Sequence, residues 1–290
     1  MKFASAQLVR PWLGTLPLLL WSCYQPRTAP IDAALANRDS LKILPGVSQY
    51  FRACNVQGSI AIYDYNKMLW ILSDTTETRV GSLPASTFKI PNFLIALEAG
   101  IIRDENELIK WTGHPDTAKY GYRPEIYHDM TIAAAFKRSA GWVFVELAKK
   151  IGDEKYLRYL QKCAYGNSNL SEDGADFWNF GGFAVSPINQ VTFLRALYDE
   201  TLPFTKRNME IVKRVMLSEQ TADYALHAKT GWTREGKLNT GWWVGYIVTK
   251  SNVYFFATRI LQTHAKNRTD FAACRKEITM KIFKDLDIVD

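Results

Sequence analysis

The sequence predicts an α+β protein, with an antiparallel sheet built from N- and C-terminal strands, flanking helices and a mostly helical middle region. Three observations carry this prediction. Residues 59–65 and 68–73 read as two strands around a polar Asn66-Lys67 turn. Residues 241–248 and 253–258, rich in aromatic and β-branched side chains that suit a pleated surface, form a stronger hairpin around the turn at 249–252. Between them the apolar spacing is helical at 131–138, 142–151, 154–163, 187–198 and 207–217, and a last helix follows at 271–283. Strands early and late, with helices between, argue against a βαβ repeat.

At the start of the chain, Lys2 and Arg10 precede the short apolar run from Pro11 to Cys23. Positive charge ahead of a short, interrupted apolar run is the layout of an export signal, here residues 1–22, and too short for a comfortable membrane span. The expected location is therefore periplasmic. Leu20-Trp21-Ser22-Cys23 also resembles the box at which bacterial lipoproteins are cleaved and lipidated, a reading ranked below ordinary cleavage because Trp21 is bulky. A lipid anchor on Cys23 is the only membrane attachment expected. Residues 23–45, with Pro26, Pro30 and Pro45, read as a linker or loosely packed start, and 46–290 as a single domain. Cys54, Cys163 and Cys274 cannot all pair internally, no bridge is assigned, and the fold is expected not to depend on a disulfide.

A hydrophobic fraction of 47% and a charged fraction of 22% in 290 residues exclude disordered and fibrous classes and leave ample material for a core. The net charge of +7 is spread along the chain without a dense basic run, so no nucleic-acid partner is expected. A mild positive field favours an anionic substrate. His114, His128, His227 and His264 are not spaced as metal ligands, and phosphate loops, dinucleotide fingerprints and the Gly-x-Ser-x-Gly elbow are absent from the sequence. No metal is expected.

The chemistry gathers on Ser86-Thr87-Phe88-Lys89. Apolar residues at Phe88, Phe93, Leu94, Ile95 and Leu97 give a buried helical stripe, Gly100 is a stop signal, and Ser86 and Lys89 fall in the first turn. Residues three apart on a helix are neighbours, so the lysine amine reaches the hydroxyl. A serine needs a base to become a nucleophile, and a lysine among Phe88, Ile90 and Phe93 loses hydration, which lowers its pKa. Roughly one Ser-x-x-Lys arises by chance in a chain of this length, so the pair needs companions.

Those companions are Ser139-Ala140-Gly141, Tyr165-Gly166-Asn167 and Lys229-Thr230-Gly231, in that order. Ser-x-x-Lys with Lys-Thr-Gly is the signature of penicillin-recognising serine enzymes. From about Ser59 to the C-terminus the chain resembles the class D β-lactamases, the oxacillinases. The stretches Pro84-Ala85-Ser86-Thr87-Phe88-Lys89-Ile90-Pro91-Asn92, Glu146-Leu147-Ala148-Lys149-Lys150-Ile151-Gly152 and Gly241-Trp242-Trp243-Val244-Gly245 are particularly close.

The resemblance implies roles. Ser86 is the acylated nucleophile, and Lys89 carries carbon dioxide on its side-chain nitrogen as a carbamate, the only cofactor implied. Trp178 supports that carbamate through its indole N–H. Ser139 relays a proton toward the leaving nitrogen. The backbone N–H groups of Ser86 and Trp232 form the oxyanion hole. Lys229, Thr230 and Gly231 face the substrate, and Arg275 holds the β-lactam carboxylate, with Arg259 as the competing candidate. The chain departs from the family at Gly141, where the family's Ser-x-Val has valine. Unless Trp142 fills the space, water enters, the lysine pKa rises and deacylation slows first. The implied function is β-lactam hydrolysis by a monomer or homodimer. An acylated sensor module that does not turn over is the alternative, and a cell-wall peptidase a weaker third.

Overall fold

The computed structural model describes residues 39–172, 174–263 and 270–289. The export signal, Cys23, most of the expected linker and His264 lie outside them. The chain runs through β1 (Ser40–Ile43), α1 (Ser48–Ala53), β2 (Gln57–Asp64) and β3 (Leu69–Leu72), then a tight 3-10 turn over Ala85–Phe88 that continues into α2 (Lys89–Glu98). The middle holds β4 (Leu108–Ile109), α3 (Thr117–Tyr120), β5 (Met130–Thr131), α4 (Ile132–Arg138), α5 (Gly141–Ile151), α6 (Asp153–Lys162), α7 (Pro187–Tyr198) and α8 (Lys206–Met216). Strands β6 (Leu217–Gln220), β7 (Tyr224–Glu235), β8 (Leu238–Thr249) and β9 (Val253–Thr263) and helix α9 (Phe271–Asp285) complete it.

The two hairpins meet in one seven-stranded sheet of order β1-β3-β2-β9-β8-β7-β6, antiparallel except for β1 against β3. Ile60 and Ile62 point to one face, where α1 and α9 cover them, while Ala61 and Tyr63 point to the other, under the helical middle. Strands β8 and β9 divide in the same way, with Trp242 and Phe255 on the helical-middle side and Trp243 and Phe256 on the α9 side. Period-two alternation thus decides which layer each side chain joins.

Helix α2 lies within the larger layer, and every residue from Lys89 to Leu97 is buried. A helix apolar on all sides is a core helix, and each large apolar side chain it buries contributes about 1.5–3 kcal/mol. Gly100 follows the end of α2 with φ of 67°, the left-handed conformation that glycine adopts without a Cβ clash. The expected helices of the middle are present with ends moved by at most one residue. Side-chain caps support two of them: Thr131 accepts from Ala134 N at 3.2 Å, and Ser186 accepts from Asn189 N, also at 3.2 Å, ahead of Pro187.

Three features differ from the expectation. Ser40–Ile43, at the end of the expected linker, is an edge strand; all four residues are exposed, so no buried face marked it, and backbone hydrogen bonds to β3 alone define it. The late hairpin has a third long strand, β7, with Lys229-Thr230-Gly231 in its interior. Cysteine pairing, open in the sequence, is decided by the fold: Cys54 and Cys274 form a disulfide across 220 residues and Cys163 is free. The expectation of a fold independent of any disulfide therefore meets a covalent tie between α1 and α9, created by packing those helices side by side.

Candidate active site

Ser86 sits in the 3-10 turn, where side chains three residues apart eclipse one another. Lys89 Nζ accordingly donates to Ser86 Oγ across 2.9 Å. Ala85, just before, has φ of 52°, a left-handed conformation unusual for a residue with a Cβ. Neighbouring bonds hold it there: Ala85 N–H donates to Trp178 O at 2.9 Å, and Thr87 Oγ1 donates to Pro84 O at 2.7 Å.

Lys89 is 1% exposed, with its amine 5.2 Å from the centre of the Phe144 ring. Burial pushes its pKa down to about 7; the Arg123 charge works in the same direction and Asp176 against it. Near neutral pH a substantial fraction of this amine is therefore uncharged, and in that form it can take the Ser86 proton across the same contact. Trp178 stacks on Phe88, the residue before Lys89, and its indole N–H is buried with no hydrogen-bond partner among the described residues. Buried orphan donors are rare in proteins. A neutral amine and an unsatisfied donor fit the carbamate that the sequence resemblance implies on Lys89.

Across the site, Ser139 ends α4 in a left-handed conformation with φ of 57°. Lys229 Nζ donates to Ser139 Oγ at 2.7 Å and to Thr230 O at 3.0 Å. Burial holds the Lys229 pKa well below the usual lysine range, and the charges of Lys89, Arg275, Arg123 and Lys276 add to the effect.

Strand β6 pairs with β7 only as far as His227, so the second half of β7, from Ala228 onward, is a strand edge that runs beside the Ser86 turn. Gly231 permits the approach: a Cβ there would stand 2.7 Å from Pro84 O and 3.1 Å from Thr87 Cγ2. Thr230, Gly231 and Trp232 line a cleft of about 650 Å³ together with Ser86, Ser139 and Arg275.

The two arginine candidates separate cleanly. Arg259 is fully buried and donates to Val80 O at 2.6 Å, Ser82 Oγ at 3.1 Å and Glu77 Oε2 at 2.9 Å, so its guanidinium ties together the segment ahead of the Ser86 turn. Arg275 donates to Gly231 O at 2.8 Å and lines the cleft, with its Nε buried and unpartnered among the described residues. Burial lowers its pKa to about 10.

A second hollow of about 530 Å³ opens from Ser86 and Lys89 toward Trp111, Tyr127, Gly141 and Trp142. A Cβ added at Gly141 would meet nothing within 4 Å. Trp142 does not fill that space. Its indole donates to Ile126 O at 2.7 Å and stands edge-on to Trp111, centroids 4.9 Å apart, so it forms a wall of the hollow.

Arg123 was not among the sequence candidates. It lines both cavities and donates to Ser139 O at 3.4 Å and Arg138 O at 3.1 Å, capping the end of α4. Gly121-Tyr122-Arg123-Pro124 has turn chemistry but no periodicity, so nothing local signalled a contact with residues 15 and 16 positions away. Asp176 is a second such residue: it is buried and accepts from Lys119 Nζ at 3.0 Å and from Tyr120 Oη.

Comparison with known proteins identifies the family. Residues 66–285 match the family model of the penicillin-binding protein transpeptidase domain. The chain is 34% identical to β-lactamase OXA-48 of Klebsiella pneumoniae over 241 residues, 83% of this chain and 87% of that protein. It is 35% identical to β-lactamase OXA-10 of Pseudomonas aeruginosa over 243 residues, 82% of this chain and 88% of that one. Among solved structures, a class D β-lactamase from Sebaldella termitidis superposes with a TM-score of 0.80 at 38% identity, covering 87% of this chain and all of that one.

Proposed function

The chain belongs to the penicillin-binding protein transpeptidase-domain family and, within it, to the class D β-lactamases, and from that premise we propose how its residues divide the work. It is a serine hydrolase of β-lactam antibiotics and confers resistance to them. The observation that carries the assignment of roles is the 2.9 Å contact between Ser86 Oγ and a fully buried Lys89 whose amine is near neutrality.

Ser86 Oγ attacks the lactam carbonyl, and the proton it loses is held at Lys89. The developing oxyanion faces the backbone N–H groups of Ser86 and Trp232, a contact that strengthens only as charge appears. As the C–N bond breaks, Ser139 Oγ hands a proton to the leaving nitrogen and is resupplied from Lys229 Nζ, 2.7 Å away. Thr230, Gly231 and Arg275 hold the ring carboxylate, Arg275 through its guanidinium. Lys89 passes its proton on to restore the Ser139–Lys229 pair, then takes one from the water that attacks the ester and returns it to Ser86 Oγ as the penicilloic-type acid leaves. A carbamate on Lys89, held by the Trp178 indole N–H, would supply an anionic oxygen base for both half-reactions.

Export to the periplasm extends the proposal, with lipidation at Cys23 as a less favoured variant. The support is the amino-terminal charge and apolar pattern, together with a disulfide of the kind that persists in oxidising compartments. No helix among the described residues is long and apolar enough to cross a membrane.

A chromogenic cephalosporin assayed with and without bicarbonate tests the reading. Sustained turnover that bicarbonate stimulates is expected. One equivalent of product followed by a stalled adduct on Ser86 would replace the hydrolase with the acylated sensor.

A further inference from the structure

Arg275 is an awkward residue to hold in place. Its guanidinium is largely buried and donates to Gly231 O at 2.8 Å, but its Nε has no partner and no carboxylate lies within ion-pair distance of it among the described residues. A buried, uncompensated charge tends to swing toward water unless its backbone is fixed. The next residue back is Cys274, bonded to Cys54 at the end of α1, with the two Cα atoms 6.0 Å apart. The cross-link therefore acts one residue from the guanidinium, in the first turn of α9.

We propose that the Cys54–Cys274 disulfide is a positioning element for Arg275 and sets the affinity of the site for the substrate carboxylate. The rest of α9 is docked independently of it: Ile278, Ile282 and Phe283 pack on the sheet, and Thr279 Oγ1, 2.6 Å from Thr258 Oγ1, accounts for the Arg275 carbonyl at 2.7 Å. In the first turn Phe271 is also buried, against Trp232, so loss of the cross-link removes the covalent restraint next to Arg275 and leaves the helix in place. Lys89 and Ser86 lie on other elements and keep their contact, so binding weakens while the chemical steps do not.

The inference rests on Arg275 as the carboxylate site, and the experiment separates the two ideas. Steady-state kinetics on benzylpenicillin are measured for the full chain, for a Cys54→Ala/Cys274→Ala double variant, and for the wild type reduced by dithiothreitol, whose two thiols deliver the two electrons and leave as a cyclic disulfide. Each is repeated in an Arg275→Ala background. The expected result is a KM about tenfold higher, with kcat within about twofold, by both routes, and no further rise in KM where Arg275 is already alanine. A general loss of structure would lower kcat as well and would add to the Arg275→Ala effect; either result overturns the proposal. If Arg275→Ala alone raises KM while breaking the disulfide does not, the positioning role fails and the carboxylate site stands. If Arg275→Ala leaves KM unchanged, the carboxylate site fails and the positioning role with it. Reduction of folded wild type keeps the test decisive should the double variant not fold.

Discussion

Phe88 lies flat against the indole of Trp178, with ring centroids 5.0 Å and planes 11° apart, while the indole N–H is buried without a partner among the described residues. Stacking fixes the ring, and the missing partner leaves its donor available. Replacing Trp178 by Phe keeps the stack and deletes the donor. A hydrogen bond to a charged group is worth about 1.5–3 kcal/mol, so deacylation should slow roughly 10- to 150-fold. A pre-steady-state burst with a slower second phase is expected, along with a weaker labelled-carbamate signal from ¹³C-bicarbonate by NMR. An unchanged signal would remove Trp178 from this role.

The depressed Lys89 pKa predicts two pH effects of the same sign, both favoured by raising the pH. Below about pH 7 the buried amine takes a proton and is no longer a base, so kcat/KM should fall on the acid side. For stability, an unfolded Lys89 keeps its proton up to its ordinary value of 10.5 while the folded one releases it at about 7. The unfolded chain binds more protons between these values, so the Lys89 contribution to stability rises with pH across that window and is least favourable below it. Lys89→Met should abolish turnover yet raise stability at pH 7, with an upper bound of about 5 kcal/mol. Arg123→Gln removes a cation that helps to lower this pKa, and the acid limb should move to higher pH. Denaturant titrations from pH 6 to 10 and kcat/KM profiles check both, and an acid limb unmoved by Arg123→Gln would break the electrostatic link.

Gly141 leaves room beside the hollow that reaches Lys89. Gly141→Val adds methyl groups to open space at the first position of α5, where the backbone accepts any residue. The variant should fold, exclude water from the pocket, and need less added bicarbonate for full turnover, with deacylation several-fold faster. The ratio of rates with and without bicarbonate is the measurement. A ratio equal to that of the wild type would mean that Gly141 does not control access to the lysine.

Much of the fold was legible because its signals are local. The helix from Pro187 to Tyr198 announces itself with a Ser-Pro start and 3.6-residue spacing, and the late hairpin with alternating aromatic and β-branched residues. The Ser86–Lys89 contact was legible for the same reason, since three residues of one turn fix it. Strand β1 was not, because an exposed edge strand has no buried face.

By itself, then, the sequence determined the strand-helix-strand order, the closeness of Ser86 and Lys89 in one turn, and the order of the motifs that face them. Tertiary structure alone decided which arginine faces the cleft, which cysteines meet, that Arg123 caps α4 beside Ser139, and that Gly141 opens a hollow which Trp142 does not fill. The physical reason is range. Dihedral preference and apolar period act over a few residues and are written in adjacent letters. The fate of a long side chain such as Arg259 or Arg275 depends on which carbonyls, carboxylates and empty spaces packing brings to it from far along the chain, and those exist only once the layers have closed.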